Sequence, residues 1–469
     1  MKRNVVFFIT DGQRKDALGC YGNRLIRTPN TDAFACEATR FEHTFCTHSV
    51  CMPTRASLYT GRYPHVHGVW ANGVPLPRSE VTLPAVLAAH GYATGAAGKI
   101  HLEPQQPYTN GVCPVVDARN TPYYGFQEVH LSENKPGQEY LDFIDREFPE
   151  LRDRARRRDR MPEAAHDLNW ITDQAIDFIR RQAADDKPFF CHCSFHELIP
   201  PCTPPDTCAG VFRPEDMPVP ELREDDLARR PPFYRQCYEG YRARGQQPDE
   251  PALRRYIASY YDQSLFIDKQ FGRLAAALRD LGVWDDTLVL FVADHGLSLN
   301  DHYQWRHGPF LFDQVVNVPM LCRIPGQAAA VNDDLTETVD IMPTVLEWCG
   351  VPVPESVQGR SFLPRLQGVA DASPRDSVLI QERQAPDLEA RGLDPASVTQ
   401  VGLRTRDWKL IHYPGAPYGE LYDLRHDPGE FKNLWADPGY AHPRRDMEVQ
   451  LIDRLYASAP PFPARPYEW

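Results

Sequence analysis

Two apolar runs, "NVVFFIT" at 4–10 and "TLVLFVA" at 287–293, each lead without a polar break into an acid: Asp11 in the first, Asp294 followed by His295 in the second. A strand with no polar alternation is a buried strand, and buried strands of this kind belong to parallel sheets covered by helices. Short apolar runs alternate with helical patterns through the first half of the chain. The expected fold class is therefore α/β with a large, mainly parallel sheet flanked by helices. Polar groups at the carboxyl ends of such strands stand where open α/β folds place their ligands.

The 469 residues are enough for two or three domains. "TPNTDAFACEA" reads as a helix start, "TLPAVLAAHG" as a short helix closed by Gly91, and "YATGAAGKIH" as the strand after it. Leu168, Ile171, Ala175 and Phe178 fall at helical spacing over 164–183, ahead of the strand "PFFCHCSF", whose Cys191 and Cys193 read as small core residues. Residues 202–251, rich in proline and charge, are expected to run over the surface, and a long helix is predicted over 251–281 with Gly282 as its stop. After about Ser373 the runs "SVLIQE", "SVTQVGLRT", "WKLIHYP" and "GELYDL" predict short antiparallel strands, with a helix near 444–456. This divides the chain into a catalytic unit, 1–373, and a smaller C-terminal α+β subdomain with its tail, 374–469.

A formal charge of −13 opposes a nucleic-acid partner, since phosphates would be repelled. The basic run "RDRARRRDR", Arg152 to Arg160, interleaves aspartates and reads either as a solvated helix face or as a site for an anionic partner. No stretch approaches the ~18 apolar residues of a membrane span. The opening apolar run, Val5 to Ile9, falls short of a signal core, so the expected location is cytoplasmic. The 12 cysteines then read as reduced thiols, and Cys191 with Cys193 lacks the second pair that a zinc site needs.

The stretch "SVCMPTRASLYTGRYPHVHG", 49–68, carries a C-x-P-x-R spacing. Pro53 suits the first turn of a helix, which would seat Cys51 at the amino end among free N–H groups, with Arg55 adding a permanent charge to the same corner. The arrangement is a nucleophile-bearing residue inside an anion cradle. The triplet alone arises by chance in roughly one such chain in ten.

The longer string "CMPTRASLYTGR" resembles the signature of the type I, formylglycine-dependent sulfatases of the alkaline phosphatase superfamily. "ITDGQRKDALGCYGN", "AAGKIHL", "VADHG", "DHYQWRHGPF", "VDIMPTVLEWCGVPVPESVQGRSF" and "KLIHYP" with "ELYDLRHDPGEFKNL" are similar to further blocks of that family, in its order. The resemblance implies an alkaline-phosphatase-like core and a Cys51 oxidised to formylglycine by a separate formylglycine-generating enzyme. The aldehyde hydrate would offer one hydroxyl to attack sulfur and a second to collapse and release sulfate. It also implies one divalent metal, held by Asp11, Asp294, His295 and the modified Cys51. Where many relatives carry a second acid or amide after the first aspartate, this chain has Gly12: either Gln13 reaches in, or the sphere holds fewer protein ligands. Ca²⁺ is placed first, with Mn²⁺ or another transition ion as the alternative.

By the same resemblance Lys99 would neutralise a sulfate oxygen and His101 would take the proton that lets the hemiacetal collapse; alternation on a strand would put both on one face. The residues alone would leave His101 an ordinary strand-end histidine. The family's next histidine falls at Ile199, so His196 is either its substitute or a bystander. His307 stands where a lysine is usual and is expected to meet the bridging ester oxygen as general acid or hydrogen-bond donor. His302 reads as structural, with a role near a metal as the alternative, and His65 and His67 are expected at the pocket mouth.

The function implied is sulfuric ester hydrolysis, on a small-molecule or saccharide sulfate ester. Phosphonate monoester or phosphodiester hydrolysis at the same formylglycine is the alternative. A catalytically silent binding protein would have no reason to keep Cys51, Arg55, Lys99, Asp294 and His295 together, and a two-metal phosphodiesterase would need serine or threonine at position 51. Specificity is expected from residues 103–162 and 202–250 and from the C-terminal unit. The proline-rich tail from Ala459 is a candidate contact in a homo-oligomer.

Overall fold

Strands β1 (Asn4–Thr10), β2 (Thr39–Phe45), β3 (Ala93–Gly98), β4 (Glu128–His130), β5 (Phe189–Ser194), β6 (Thr287–Ala293), β9 (Asn317–Arg323) and β10 (Ala330–Glu337) form one eight-stranded sheet. A separate two-stranded ribbon joins β7 (Ser298–Leu299) to β8 (Trp305–Arg306). This is a computed structural model, and it describes residues 3–104, 122–199, 201–369, 374–383 and 398–459. The sheet order is β10-β2-β9-β6-β1-β5-β3-β4, parallel throughout except for β9, which runs against both its neighbours.

Every residue of β1, β5 and β6 is buried. Alternation along β5 shows why. Cys191 approaches Ala175 O on the helix Asp167–Ala184, while the next residue, His192, meets Tyr59 on the helix Cys51–Thr60. Successive side chains on a strand point to opposite faces, so both faces are covered and neither can be polar without a partner. Phe8 of β1 packs edge-on against Phe271 of the helix Glu250–Asp280, at the position expected for the long helix. That helix ends at Leu281 and Gly282, the glycine taking φ 70.

Register places the site. Thr10 pairs with Ala293, Ile9 with Ser194 and Ser194 with Gly98. The residues that follow, Asp11, Asp294 and Lys99, therefore leave the sheet side by side at the carboxyl ends of parallel strands. Asp294 N still donates to Thr10 O at 3.0 Å.

Two expectations are corrected. Residues 202–251 are not all surface: Pro232–Ala243 is a helix whose Phe233 and Tyr234 are fully buried against Phe310. Its apolar positions, Phe233, Tyr234, Cys237 and Tyr241, follow helical spacing beneath the flanking prolines and charges. Strand β3 also stops at Gly98, so His101 does not owe its direction to alternation with Lys99. It has left the strand and takes φ 54.

The four strands β11 (Ser377–Glu382), β12 (Gln400–Thr405), β13 (Trp408–His412) and β14 (Gly419–Asp423) form a second sheet, antiparallel and in chain order. Met447 and Leu451 of the helix Ala441–Ala457 complete its core with Leu379, Leu403, Leu410 and Leu421. Each such fully buried side chain stabilises by about 1.5–3 kcal/mol. Strand β11 also reaches the first sheet's business end. Gln381 N donates to Thr47 O at 2.8 Å, and Ser49 Oγ donates to Glu382 Oε2. The expected division at 373/374 abuts residues 370–373, which lie outside the described residues, as does the tail 460–469. Among the described residues no helix is long and apolar enough to cross a membrane.

Candidate active site

Cys51 is the first residue of the helix Cys51–Thr60 and follows Val50, whose extended backbone (φ −132, ψ 162) turns the chain into it. Pro53 lies in the first turn, where its missing N–H costs no helical hydrogen bond. The thiol is buried, with Sγ 3.3 Å from His295 Nε2. Asn72 Oδ1 accepts from Met52 N at 2.9 Å, and its Nδ2 stands 4.0 Å from the sulfur.

His295 Nδ1 donates to Gly296 O at 2.8 Å, because a carbonyl can only accept. In the neutral ring this leaves Nε2 as the basic nitrogen. It points at three donors: Cys51 Sγ, Asp11 Oδ1 at 3.5 Å and Asp294 Oδ1 at 3.8 Å. One ligand atom from each of Asp11, Cys51, Asp294 and His295 lies within 4.8 Å of the other three, and all four residues are buried. Asp11 Oδ1 has no hydrogen-bond partner there. A buried, unpartnered carboxylate oxygen beside an imidazole nitrogen and a second carboxylate fits a divalent cation.

The electrostatics agree. Burial raises the Asp11 carboxyl, and Asp294 beside it raises it further. Burial also works against the Asp294 charge, yet His295 and Arg55 hold that carboxyl down at about 2. Burial opposes a charged His295, but Asp294 and Cys51 draw it up to about 10. The site is a buried well for positive charge.

Arg55 is fully buried and supports this well rather than lining an open cradle. Its Nε donates to Asp294 Oδ2 at 2.7 Å, and its Nη1 donates to Lys99 O at 2.7 Å and to Ser194 Oγ at 2.9 Å. Only Nη2 has no hydrogen bond; it lies 3.9 Å from Asp11 Oδ2. One guanidinium thus ties together the ends of β3, β5 and β6, using a planar fork that lysine lacks.

Lys99 is also fully buried, and its Nζ donates to Asp11 Oδ2 and to Asn134 Oδ1, the latter at 2.9 Å. It reaches this place because Gly98, at φ 91, lets Ser194 O approach. A Cβ on residue 98 would stand 1.9 Å from that oxygen. His101 is buried with an unpartnered Nδ1, and burial together with Lys99 and Arg55 keeps its ring well below the usual histidine range. His307 packs edge-on against His295 with ring centroids 4.7 Å apart, and a ligand atom of each lies within 4.8 Å of the other and of Cys51 Sγ. Burial and then His295 lower its pKa, so it stands as a neutral ring.

Other expected residues are placed elsewhere. Gln13 is buried, but its Nε2 donates to Arg14 O and Ala17 O, and none of its hydrogen bonds reaches Asp11, Cys51, Asp294 or His295. The left-handed Gly12, φ 74, turns the chain away between Asp11 and Gln13. Among the described residues no hydrogen bond joins His196 to Cys51. The histidine binds Asp167 Oδ2 at 2.6 Å and accepts from Arg158, and burial beside that guanidinium lowers it to about 4. His302 pairs with Asp226 and Arg230. His67 meets Ser57 and accepts from Val69 N, while His65 contacts Gln381 and Ser458, so neither binds the cluster. Asn72, Asn134, Ser194 and Arg158 were not singled out from sequence. Only Asn72 carried a local signal, the Asn-Gly turn pair in "WANG".

A parallel sheet with acids at its carboxyl edge and a buried cysteine beside them frames the site, and the chain is similar to proteins of the alkaline phosphatase superfamily. Within it, the family model described as Sulfatase matches residues 3–351, so the chain belongs to the sulfatase family; a second, N-sulphoglucosamine sulphohydrolase C-terminal, matches 301–456. It is 29% identical to the multifunctional alkaline phosphatase superfamily protein PehA of Trinickia caryophylli, over 96% of this chain and 95% of that one. It is 29% identical to an arylsulfatase of Clostridium perfringens, over 97% and 95%. A phosphonate monoester hydrolase from Silicibacter pomeroyi has the same fold, with TM-score 0.85, 23% identity, and 98% and 96% of the two chains covered.

Proposed function

We propose that the protein hydrolyses sulfate monoesters at residue 51 after conversion of Cys51 to formylglycine, with a divalent cation held by Asp11, Asp294, His295 and the side chain at 51. The observation that carries this reading is the convergence of those four residues within 4.8 Å, beneath Lys99. The thiol sulfur stands in for the oxygens of an aldehyde hydrate, which would supply a nucleophilic hydroxyl and a second one whose collapse releases sulfate. The cation, when bound, would offset anionic charge and favour ionisation of that hydroxyl. Ca²⁺ is the first choice, Mn²⁺ the second. Making the aldehyde requires the formylglycine-generating enzyme, which reads the C-x-P-x-R segment.

The chain's own groups do the rest. Lys99 has one ammonium hydrogen beyond those given to Asp11 and Asn134, and directs it at a sulfate oxygen. Arg55 keeps Asp294 ionised and aligned. His307, neutral and beside the nucleophile, donates N–H to the oxygen that bridges sulfur and alcohol. His101, neutral with a free Nδ1, accepts the proton released as the enzyme ester breaks down.

Phosphonate monoester or phosphodiester hydrolysis is the second reading, favoured by the TM-score of 0.85 to a phosphonate monoester hydrolase. These esters, like sulfate monoesters, are singly charged and tetrahedral, so the buried cations do not separate them by charge. Two measurements test the proposal. Mass spectrometry of the tryptic peptide Phe41–Arg55, from protein made with the modifying enzyme, should show an aldehyde at 51. Turnover of matched aryl sulfate and aryl phosphonate esters should favour sulfate. Full activity with an intact thiol would refute the mechanism, and preference for phosphonate would select the second reading.

A further inference from the structure

The turn Ser132–Lys135 carries no motif, yet it touches the chemistry. Asn134 is exposed, and its Oδ1 accepts from the buried Lys99 Nζ at 2.9 Å. Its neighbour anchors the turn to the same segment: Glu133 Oε1 accepts from the N–H groups of Ile100, at 3.1 Å, and His101, at 2.8 Å. From the other side Arg158 Nη2 donates to Glu133 O at 2.6 Å.

Arg158 is an unusual residue for its position. It ends the helix Arg152–Arg157 in a left-handed conformation, φ 56, where glycine is the ordinary choice. While Arg156 and Arg157 just before it are exposed, its guanidinium enters between Asp167, at 3.2 Å, and His196 Nδ1, at 2.8 Å. His196 is itself held by Asp167. The strained arginine, the histidine and the aspartate form a bracket whose far end is the carbonyl next to Asn134.

Resting on the sulfate-ester reading, we propose that Asn134 recognises the alcohol part of the substrate, and that Arg158 is the residue that positions it. With Oδ1 committed to Lys99, the two Nδ2 hydrogens of Asn134 have no partner among the described residues, and the residue is exposed. A sulfate seated on Lys99 brings the atoms beside the ester oxygen within reach of that amide. An alcohol bearing a hydroxyl or ring oxygen there accepts the hydrogen bond; an aryl alcohol has nothing to offer. The ligand class is a hydroxyl-rich, saccharide-type sulfate ester, and Arg158 and His196 acquire one shared purpose.

The test compares kcat/KM for a panel of 2-O-, 4-O- and 6-O-sulfated monosaccharides with that for 4-nitrophenyl sulfate, using the metal-loaded, formylglycine-bearing enzyme. Asn134→Asp keeps an oxygen on Lys99 but removes both donors, and Asn134→Ala removes everything. Both should lower the ratio of the best saccharide to the aryl ester about tenfold or more. Taking the ratio cancels any uniform effect on anion binding. Arg158→Gly suits the left-handed φ, and in the folded fraction it should move the same ratio in the same direction, mainly through KM. An unchanged ratio in Asn134→Asp and Asn134→Ala overturns the proposal, as does a wild-type enzyme that cleaves the aryl sulfate and no saccharide. Inertness toward both substrate types overturns the sulfate-ester reading and this inference with it.

Discussion

Arg55 Nε donates to Asp294 Oδ2 at 2.7 Å with both side chains wholly out of solvent. Removing one partner of such a pair leaves the other charge buried and uncompensated, at a cost of about 3–5 kcal/mol. Arg55→Ala should therefore lower unfolding free energy by about that amount in urea titration. Arg55→Lys should recover only part of it, because lysine cannot also reach Lys99 O and Ser194 Oγ. A loss below ~1 kcal/mol for the alanine variant would count against the role assigned to this pair.

A cation that binds the folded chain and not the unfolded one stabilises it by mass action, about 2.7 kcal/mol at a hundredfold excess over Kd. Ca²⁺ or Mn²⁺ added to the chelator-treated protein should raise Tm, and Asp11→Asn or Asp294→Asn should abolish the rise. The ion that gives the larger shift at lower concentration is the better match to the donor set of two carboxylates and one imidazole. Equal Tm with and without either ion would remove the site.

His307 is expected to matter in proportion to how poor the leaving group is. His307→Ala should lower kcat about 10²-fold or more for an alkyl or saccharide sulfate. For 4-nitrophenyl sulfate, whose alcohol leaves without a proton, the same variant should change kcat little. A uniform loss across leaving groups would instead mark His307 as a support for His295, against which its ring packs.

Gly98→Ala places a methyl group 1.9 Å from Ser194 O at φ 91, so backbone must move. The expected destabilisation lies at the upper end for single substitutions, about 3 kcal/mol or more. The displaced segment carries Lys99, so turnover should fall with stability. Denaturant unfolding together with steady-state kinetics checks both.

His130 on β4 sits between Glu128, at 2.8 Å, and Glu139, at 3.0 Å. Burial lowers its pKa, but the two carboxylates outweigh that and raise it to about 9. The folded value exceeds the unfolded ~6.5, so the stabilisation is complete below that pH and is lost as pH rises through about 9. It should amount to something on the order of 1 kcal/mol, since the glutamates are partly exposed to solvent. Thermal melts of wild type and His130→Asn should differ at pH 6 and converge near pH 10; a gap that widens with pH would reverse the assignment.

The strands that build the site were legible because burial on both faces leaves a run such as "TLVLFVA" nothing polar until Asp294. The grouping of Cys51 with Asp11, Asp294 and His295 was expected from family resemblance and is what the register of β1 against β6 produces. What escaped were contacts that skip along the chain. Asn134 meets Lys99 across 35 residues from an ordinary turn. Arg158 looks like its neighbours in sequence, and only its left-handed backbone and its contacts with Asp167, His196 and Glu133 set it apart. The helix Pro232–Ala243 was hidden by composition, since prolines and charges around it outweighed four well-spaced apolar positions.

Strand β11 ends in Gln381 and Glu382, which grip Thr47 and Ser49 just ahead of the cysteine. The smaller sheet is therefore not an accessory that can be exchanged at will. Any chimera that imports a relative's C-terminal piece to change substrate range must supply a free backbone N–H at 381 and an acid at 382, or the loop that presents residue 51 loses its backing. Grafts made with and without that pair, scored for turnover at equal fold stability, would show whether the two sheets can be inherited separately.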